Sequence, residues 1–330
     1  MRQSLTLSLL ACFVAAAGSS PQSTETFGDW SPPRRVGTVN TASNDMYAIL
    51  SKDELTMYFT SDRQGGLGGD DLWVTTRASL DDPWETPENM SGLNSTVLDS
   101  LAVLSSDEHV MFFHSNRQPG SCGAGDIWMT RRHDKRTQEW GLPVNLGCVV
   151  NTTATEIAPA FFENPETGQV TLFYGSNRPG PPKDFDVYAS VVGEDGYFGP
   201  GALVPEFSSP GRDTRIFMRR DGLEVFITSD RTGGQANIDI WTSTRDTLSD
   251  QWPTPIDVPS PVNSACDDGS PWLSRDGTTL YFFSNRADFG CGTRDIWYTT
   301  REKIKQENAI QARVASFWKR TLAHVAQTSP

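Results

Sequence analysis

Histidine and basic side chains are scarce in this sequence, and their scarcity excludes several kinds of function. The four histidines among 330 residues show no metal-ligand spacing, so we expect no zinc site; they are His109, His114, His133 and His324. Lysine and arginine number 28 against 41 aspartates and glutamates, which gives a formal net charge of -13. Because contacts to a phosphate backbone need clustered Lys and Arg, we expect no nucleic-acid partner. A serine nucleophile elbow and a phosphate-binding glycine loop are also missing.

Long apolar runs are missing too, so the sequence contains no candidate for a transmembrane helix, which needs about 20 apolar residues. A short apolar run over residues 5–17 follows Arg2 and ends in the small residues "AAAGSS". This pattern predicts a secretory signal peptide over residues 1–18 and a protein exported to the periplasm or the extracellular space. Cys12 keeps a lipoprotein signal open as an alternative. Residues 19–29 are rich in Ser, Pro, Gln and Thr and are predicted to be a linker.

The sequence contains five copies of one repeat. Five stretches share one plan, in which an acid is followed by two apolar segments, a Ser-(Asp/Asn)-Arg triplet, a loop and an Asp-(Leu/Ile/Val)-(Trp/Tyr) segment. The acids, called first-strand acids below, recur at intervals of 54 to 57 residues and are Asp45, Asp99, Glu156, Asp213 and Asp268. The triplets supply the triplet arginines Arg63, Arg117, Arg178, Arg231 and Arg286. The later segments begin with the third-strand aspartates Asp71, Asp126, Asp186, Asp239 and Asp295.

Each repeat is predicted to form four β-strands. Segments such as "MYAILS", "LTMYFT" and "LWVTTR" have the length and the β-branched and aromatic content of strands, and a Trp-Pro segment adds a fourth, edge-like strand. Four strands per repeat indicate propeller blades. The fifth repeat lacks a Trp-Pro segment, whereas a spare one stands at Trp30 before the first repeat. We therefore predict an all-β, five-bladed β-propeller of four-stranded antiparallel blades over residues 30–301, with its ring closed by the N-terminal strand.

The last part of the chain has a different pattern. Apolar residues from Ile310 to Val325 recur every three to four positions, which predicts a C-terminal amphipathic helix within residues 302–330. Packing of this helix on the propeller is the favoured interpretation. Its basic residues, among them Lys319 and Arg320, leave a membrane-surface or partner-binding role as the alternative.

The repeats resemble a known family. "LSRDGTTLYFFSNR" and "LSKDELTMYFTSDRQGGLGGDDLWVTTR" are similar to the WD40-like β-propeller repeat of exported bacterial proteins, to which the propeller of the periplasmic TolB protein is related. The resemblance covers roughly residues 30–301 and implies the propeller fold. It implies little about activity, because these repeats occur in proteins of very different roles. TolB proteins carry a further N-terminal domain and usually six blades, so the function of TolB is not transferred to this chain.

The first-strand acids are the first candidate site, because each stands where the chain enters the innermost strand of a blade. A ring of carboxylates at the channel mouth has three interpretations. Each acid could accept hydrogen bonds from backbone N–H groups or from an arginine of a neighbouring blade, and the five-fold regularity favours this structural role. The five acids could instead hold a cation such as Ca²⁺. Glu156 could also serve as the general acid of a glycoside hydrolase, with Asp99 or Asp213 as nucleophile or base.

The second candidate site is the set of positions two residues after each first-strand acid, since they differ between repeats. They are Tyr47, Leu101, Ala158, Arg215 and Ser270. Tyr47 and Arg215 are the odd polar members and are predicted to orient a ligand, although Arg215 could equally pair with Asp213 or Glu156. The triplet arginines are expected to bond to the third-strand aspartates.

Cysteine usage agrees with export. Removal of the signal peptide leaves four cysteines, an even number that predicts two disulfides. Cys122 and Cys291 hold the same repeat position, whereas Cys148 and Cys266 lie in connections between blades at the same face. The repeat map therefore predicts the pairs Cys122–Cys148 and Cys266–Cys291.

These features lead to one main functional expectation and one alternative. We expect an exported, monomeric, non-catalytic module that binds a protein, peptide or glycan at an acidic channel mouth, through the first-strand acids with Tyr47 and Arg215. No cofactor is expected, with Ca²⁺ as the one candidate ion. The alternative is a carbohydrate-active enzyme of the glycoside hydrolase type that uses the channel-mouth carboxylates Glu156, Asp99 and Asp213.

Overall fold

The structure is a computed structural model that describes residues 26–137, 139–179, 184–287 and 290–304. The predicted signal peptide, most of the predicted linker and nearly all of the predicted C-terminal helix lie outside these residues. Within them, all regular structure is β-strand. No helix in the described ranges is long and apolar enough to cross a membrane.

Five four-stranded antiparallel sheets form the blades. From the channel outward, blade 1 consists of β3 (Asp45–Leu50), β4 (Thr56–Ser61), β5 (Asp71–Thr76) and β6 (Glu88–Asn89). Blade 2 consists of β7 (Asp99–Leu104), β8 (Val110–Ser115), β9 (Asp126–Arg131) and β10 (Val144–Asn145). Blade 3 consists of β11 (Glu156–Glu163), β12 (Val170–Ser176), β13 (Asp186–Val191) and β14 (Ala202–Leu203).

The last two blades complete the ring. Blade 4 consists of β15 (Asp213–Met218), β16 (Glu224–Ser229), β17 (Asp239–Thr244) and β18 (Ile256–Asp257). Blade 5 consists of β19 (Asp268–Leu273), β20 (Thr279–Arg286), β21 (Cys291–Thr300) and, as its outer strand, β2 (Arg34–Arg35). The first strands of neighbouring blades contact one another around the ring, so they line the central channel.

Ring closure joins the two ends of the chain. Arg34 and Arg35 of β2 pair with Tyr298 and Trp297 of β21. A further two-stranded sheet pairs β1 (Thr26–Phe27) with β22 (Lys303–Ile304). This closure joins the first and last blades, which would otherwise expose open strand edges. The predicted five-bladed propeller with an N-terminal closing strand is confirmed.

The hydrophobic core lies between adjacent blades, because each sheet buries both faces. One cluster combines Ile49 and Tyr58 of blade 1 with Ala102, Met111 and Phe113 of blade 2. Tyr58, Met111 and Phe113 are fully buried. Complete burial of each large apolar side chain contributes about 1.5–3 kcal/mol, so every inter-blade seam is held by many such contacts.

The recurring Trp-Pro segments have a packing role. In four blades an arginine just past the third strand lies over the tryptophan of this segment; the pairs are Arg77–Trp84, Arg132–Trp140, Arg245–Trp252 and Arg301–Trp30. The Nε of each arginine also donates to a turn carbonyl, as Arg245 does to Gly222 at 2.8 Å. Blade 3 has Val192 in place of this arginine, and its outer segment also lacks the tryptophan.

Both predicted disulfides are confirmed. Cys122 bonds to Cys148 and Cys266 bonds to Cys291, with Cα–Cα distances of 5.5 and 5.6 Å. The bridges close loops of 26 and 25 residues. Each stabilises the fold by about 3 kcal/mol in the chain-entropy model, and both tie an inter-blade connection to a loop at the end of the propeller that carries the first-strand acids.

A bulge in the first strands shapes the channel wall. In four blades the pairing of first and second strands skips two residues, as between Met46 and Ile49 in blade 1. The residue at the bulge has a positive φ of 53° to 59°; these residues are Tyr47, Leu101, Ala158 and Ser270. The bulge frees backbone N–H groups, and two of these donate to threonines of the preceding blade, Leu101 to Thr60 at 3.2 Å and Ser270 to Thr228 at 2.8 Å.

His114 stands in blade 2 at the position that Thr60 and Thr228 hold in blades 1 and 4. The imidazole is buried, and its Nδ1 lies 3.5 Å from the Ser100 hydroxyl. Burial lowers the pKa of His114 to about 4, against the opposing effects of the Asp99 charge and of a hydrogen bond with Asn116. The folded protein therefore holds this imidazole neutral through the range in which an unfolded chain protonates it.

The depressed pKa of His114 predicts a loss of stability in acid. Between about pH 6.5 and pH 4 the unfolded state binds the proton and the folded state does not, so unfolding becomes easier by about 1.4 kcal/mol per pH unit. The variant His114→Thr should show a shallower decline over this range in urea-denaturation midpoints. His133→Thr, which replaces an exposed histidine, is the control. Parallel pH profiles for wild type and His114→Thr would contradict this account.

Candidate functional site

The first-strand acids are fully buried, and all five are held by the same ion pair. Each bonds to the triplet arginine of its own blade, and the pairs are Arg63–Asp45, Arg117–Asp99, Arg178–Glu156, Arg231–Asp213 and Arg286–Asp268. The Arg286–Asp268 nitrogen–oxygen distance is 2.6 Å, and the Arg178–Glu156 distance is 3.4 Å. This repeated pairing neutralises each first-strand carboxylate within its own blade.

The remaining lone pairs of these acids are also used. A Ser or Thr four residues earlier donates its backbone N–H and its hydroxyl to the carboxylate, as Ser209 does to Asp213 at 2.6 and 2.8 Å. Glu156 has a longer side chain and accepts from the Thr152 N–H, the Thr152 hydroxyl and the Ser176 hydroxyl, each at 2.7 Å. Both oxygens of each of these buried carboxylates are therefore bonded within the protein, which leaves no unbonded oxygen for a ligand.

The geometry corrects the expected ring of channel-mouth carboxylates. Asp45, Asp99, Glu156, Asp213 and Asp268 are separate structural units, as the hydrogen-bonding interpretation proposed, except that the arginine comes from the same blade. The geometry gives no support to Ca²⁺ binding by these acids or to general-acid catalysis by Glu156 with Asp99 or Asp213. Within the described ranges, no group of three or more His, Cys, Asp or Glu side chains is placed to hold a metal ion.

The triplet arginines were expected to bond to the third-strand aspartates. They bond to the first-strand acids instead. The third-strand aspartates instead organise the loops that precede them. Asp126 accepts the N–H groups of Cys122 and Gly123 at 2.5 and 3.1 Å, and Asp239 accepts those of Gln235 and Ala236 at 2.8 and 2.9 Å. Carboxylates thus fix the loops that surround this end of the channel.

A cavity of about 360 Å³ opens at the end of the channel that carries the first-strand acids. Its wall includes all five positions that follow the acids by two residues, namely Tyr47, Leu101, Ala158, Arg215 and Ser270. The structure therefore brings the two predicted ligand-orienting residues, Tyr47 and Arg215, into one cavity. Only the backbone positions are equivalent, since the five side chains differ in size, polarity and charge.

Arg215 is the unusual member of this wall. The side chain is only 4% exposed, and its Nη2 donates to the Ala102 carbonyl at 3.3 Å. Its Nη1 has no hydrogen-bond partner among the described residues. The suggested pairing with Asp213 or Glu156 does not form, since those acids bond to Arg231 and Arg178. Burial lowers the pKa of Arg215 to about 10, partly offset by Tyr47, and leaves the guanidinium charged at neutral pH.

Tyr47 lies where several charges meet. Its ring packs edge-on against Phe283 with ring centres 5.7 Å apart. Burial raises the pKa of its hydroxyl, whereas the charges of Arg294, Arg215 and Arg212 act to lower that pKa. Three guanidinium groups are therefore close enough to act on one phenol at the cavity wall.

Among the wall residues that sequence reasoning missed are three charged ones and an asparagine: Arg212, Asp230, Arg294 and Asn237. Three of them occupy repeat positions at the same end of the channel as the acids. Arg212 precedes a first-strand acid, Asp230 is the middle residue of a triplet, and Arg294 precedes a third-strand aspartate. The sequence signal that could have found them is variation between repeats at these positions. With Arg215, they give the wall of this cavity three arginines and one aspartate.

A second cavity of about 420 Å³ lies at the opposite end of the channel. It is formed by the turns between first and second strands, and its apolar wall includes Phe162, Phe217 and Trp272. The exposed Arg220 and Glu163 stand at its rim. This cavity contains none of the residues that the sequence analysis predicted to bind a ligand.

Comparison with known proteins finds the same fold in several solved structures. No protein-family model and no curated protein matches the sequence. The endo-arabinase from Bacteroides thetaiotaomicron VPI-5482 is similar in structure, with 13% identity, a TM-score of 0.52 and coverage of 84% of this chain and 99% of that one. A thermostable family-43 glycoside hydrolase has 10% identity, a TM-score of 0.52 and coverages of 83% and 94%. An α-L-arabinofuranosidase from Lactobacillus brevis has 10% identity, a TM-score of 0.55 and coverages of 80% and 92%.

At 10% to 13% identity these similarities show the fold, and the structures named above are an endo-arabinase, a family-43 glycoside hydrolase and an α-L-arabinofuranosidase. The five-bladed propeller implied by the resemblance is confirmed, whereas no family model supports the WD40-like family itself. The main expectation of a non-catalytic interaction module is overturned by these structural similarities, which favour the carbohydrate-active alternative.

The role of the first-strand acids gives a direct prediction. Asp99→Asn should lower the free energy of unfolding by about 3–5 kcal/mol, because it leaves Arg117 without its counter-charge, and Asp213→Asn should behave alike. Denaturant unfolding measures the effect, and Glu166→Gln, at an exposed glutamate in the β11–β12 turn, is the control. A Glu156→Gln variant that kept its stability and lost an enzymatic activity would contradict the structural role and restore Glu156 as a catalytic residue.

Proposed function

We propose that this protein is a carbohydrate-active enzyme of the glycoside hydrolase type, and that its substrate binds in the cavity that contains Tyr47 and Arg215. One observation carries the proposal. The first-strand acids and triplet arginines repeat in every blade, whereas the cavity wall differs at every blade. A residue that every blade needs for its own structure is repeated in every blade. The wall positions differ between blades, so their side chains are available to bind a ligand. The glycoside hydrolases that share the fold support a sugar as that ligand.

The cavity has the composition of a sugar site. Its volume lies within the range of small-molecule sites, about 300–1,000 Å³. Tyr47 and Phe283 offer apolar ring surfaces on which sugar C–H groups can pack. Arg215, Asn237 and Ser270 place donors and acceptors around them for hydroxyl groups. Apolar walls with a few polar groups are what orient a small ligand.

Glycoside hydrolysis needs two carboxyl groups, one protonated and one ionised. The first-strand acids are committed to arginines, so we assign these roles to Asp230, the acidic residue of the cavity wall, and to Asp70, which lies outside the wall and near Tyr47. Asp230 is exposed in the cavity wall and accepts the backbone N–H of Arg212 at 2.5 Å. Asp70 lies close enough to Tyr47 for its charge to act on the hydroxyl.

The pKa of Asp70 suits a proton donor. Burial raises it most, and the charges of Asp62 and Asp71 raise it further, against the opposing charge of Arg294. A carboxyl with a raised pKa holds its proton closer to neutral pH, which favours general-acid catalysis. We therefore assign Asp70 as general acid and Asp230 as base or nucleophile.

The proposal is tested by product analysis with arabinan, xylan, pectic and glucuronic-acid-containing oligosaccharides. Wild-type protein should release reducing ends from at least one of them. Asp70→Asn and Asp230→Asn should each lower turnover by about 10²-fold or more, because each removes a proton-transfer or attacking group, without lowering the melting temperature. Glu166→Gln, at the opposite end of the channel, should keep full activity. Absence of product from every substrate, or full activity in both Asp variants, would refute the proposal.

A further inference from the structure

The burial of Arg215 is not explained by the fold. The corresponding positions in the other blades are Tyr47, Leu101, Ala158 and Ser270, so an uncharged side chain satisfies the propeller there. A charge taken out of water costs several kcal/mol unless it is paired. No carboxylate of the described residues lies within ion-pair distance of Arg215. The guanidinium has therefore been desolvated without a counter-charge from the described part of the chain.

The surroundings of Arg215 strengthen the need for an anion. Arg212 and Arg294 line the same cavity, and Asp230 is the only acidic residue in its described wall. Arg294 lies over the Phe283 ring at 5.0 Å and is 3.7 Å from Asp267. Arg212 lies over Phe185 at 4.9 Å. The wall itself therefore carries three positive side chains and one negative side chain, whereas Asp267, the partner of Arg294, lies outside the wall.

We propose that the cavity binds an acidic sugar, with the carboxylate of a uronic acid residue placed against Arg215 Nη1 and the Tyr47 hydroxyl. This inference rests on the proposed function and names its substrate class. The planar guanidinium matches a carboxylate in shape and charge, and a desolvated, unpaired donor gains more from an anion than from a neutral hydroxyl. Tyr47 supplies an uncharged donor, since burial raises the pKa of its hydroxyl.

The three arginines have different roles in binding the acidic sugar. Arg215 contacts the carboxylate from the channel wall, where water is excluded. Arg212 is exposed and Arg294 is partly exposed, so they attract the anionic glycan towards the cavity and are screened by salt. Binding of the anionic glycan should therefore weaken as ionic strength rises. The affinity that remains at high salt should depend on Arg215.

The test measures binding, so that its result does not depend on catalysis. Titration calorimetry compares galacturonic and glucuronic acid trisaccharides with the same trisaccharides after methyl esterification of their carboxyls. Wild-type protein should bind the acid forms at least 10-fold more tightly than the esters. Arg215→Gln should remove most of this preference, because it should weaken binding of the acid forms far more than binding of the esters. Arg220→Gln, which removes an equal charge at the opposite end of the channel, is the matched control.

Several outcomes would overturn the inference. Equal binding of acid and ester forms by wild-type protein, or no binding of either, refutes it without any variant, so a failure of Arg215→Gln to fold does not obscure the result. An undiminished preference in Arg215→Gln also refutes it. Tighter binding of sulfated than of carboxylated trisaccharides would assign the cavity to a sulfate ester instead.

Binding and turnover distinguish this inference from the proposed function. Selective binding of the acid forms without release of product from any glycan would keep the acidic-sugar site and refute hydrolysis. Release of product from neutral glycans together with equal binding of acid and ester forms would keep hydrolysis and refute the acidic sugar.

Discussion

The buried ion pair between each first-strand acid and the triplet arginine of its blade is the interaction on which the propeller depends. The same guanidinium also donates to a carbonyl of the segment leading into the blade, as Arg231 does to Phe207 at 2.9 Å, and its Nε donates to the triplet serine. It lies over the third-strand aromatic residue in every blade, at 4.1 Å for Arg178 over Tyr188 and 5.5 Å for Arg231 over Trp241. One side chain thus joins the incoming segment and three strands, which is why the acid, the triplet and the aromatic segment keep a nearly fixed spacing.

The residues that stabilise the blades are distinct from the residues that line the cavity. The acids and arginines satisfy each other inside the blade, so the bulge two residues further along is free to vary. Four of these positions have a left-handed backbone, whereas Arg215 pairs directly with Thr228 across the first two strands of blade 4. The blade that departs from the common backbone is therefore also the blade that contributes the buried charge. A symmetric ring acquires an asymmetric cavity without any change in its supporting contacts.

The repeat register was sufficient to predict the blades, the closing strand and both disulfides, because these features depend on spacing along the chain. Spacing could not identify the partner of Asp213, since Arg231 of the same blade and an arginine of a neighbouring blade are equally compatible with a repeat. It also could not predict the arginines of the cavity wall, because Arg212 and Arg294 come together only through folding. Variation at Tyr47 and Arg215 did predict two residues of the cavity wall. The resemblance to WD40-like repeats predicted the propeller geometry correctly and carried little information about function, as expected when one fold serves many functions.

Closure of the ring by β2 has a consequence for how the molecule is made. Arg35 pairs with Trp297, so the outer strand of blade 5 is separated from its partner by most of the polypeptide. Synthesis proceeds from the N-terminus, and long-range strand pairing is slow because the connecting chain must first be ordered. The N-terminal segment that contains β2 therefore stays unpaired until β21 of the last blade has been synthesised. A polypeptide truncated before β21 cannot form blade 5, so its ring stays open and its strand edges stay unpaired.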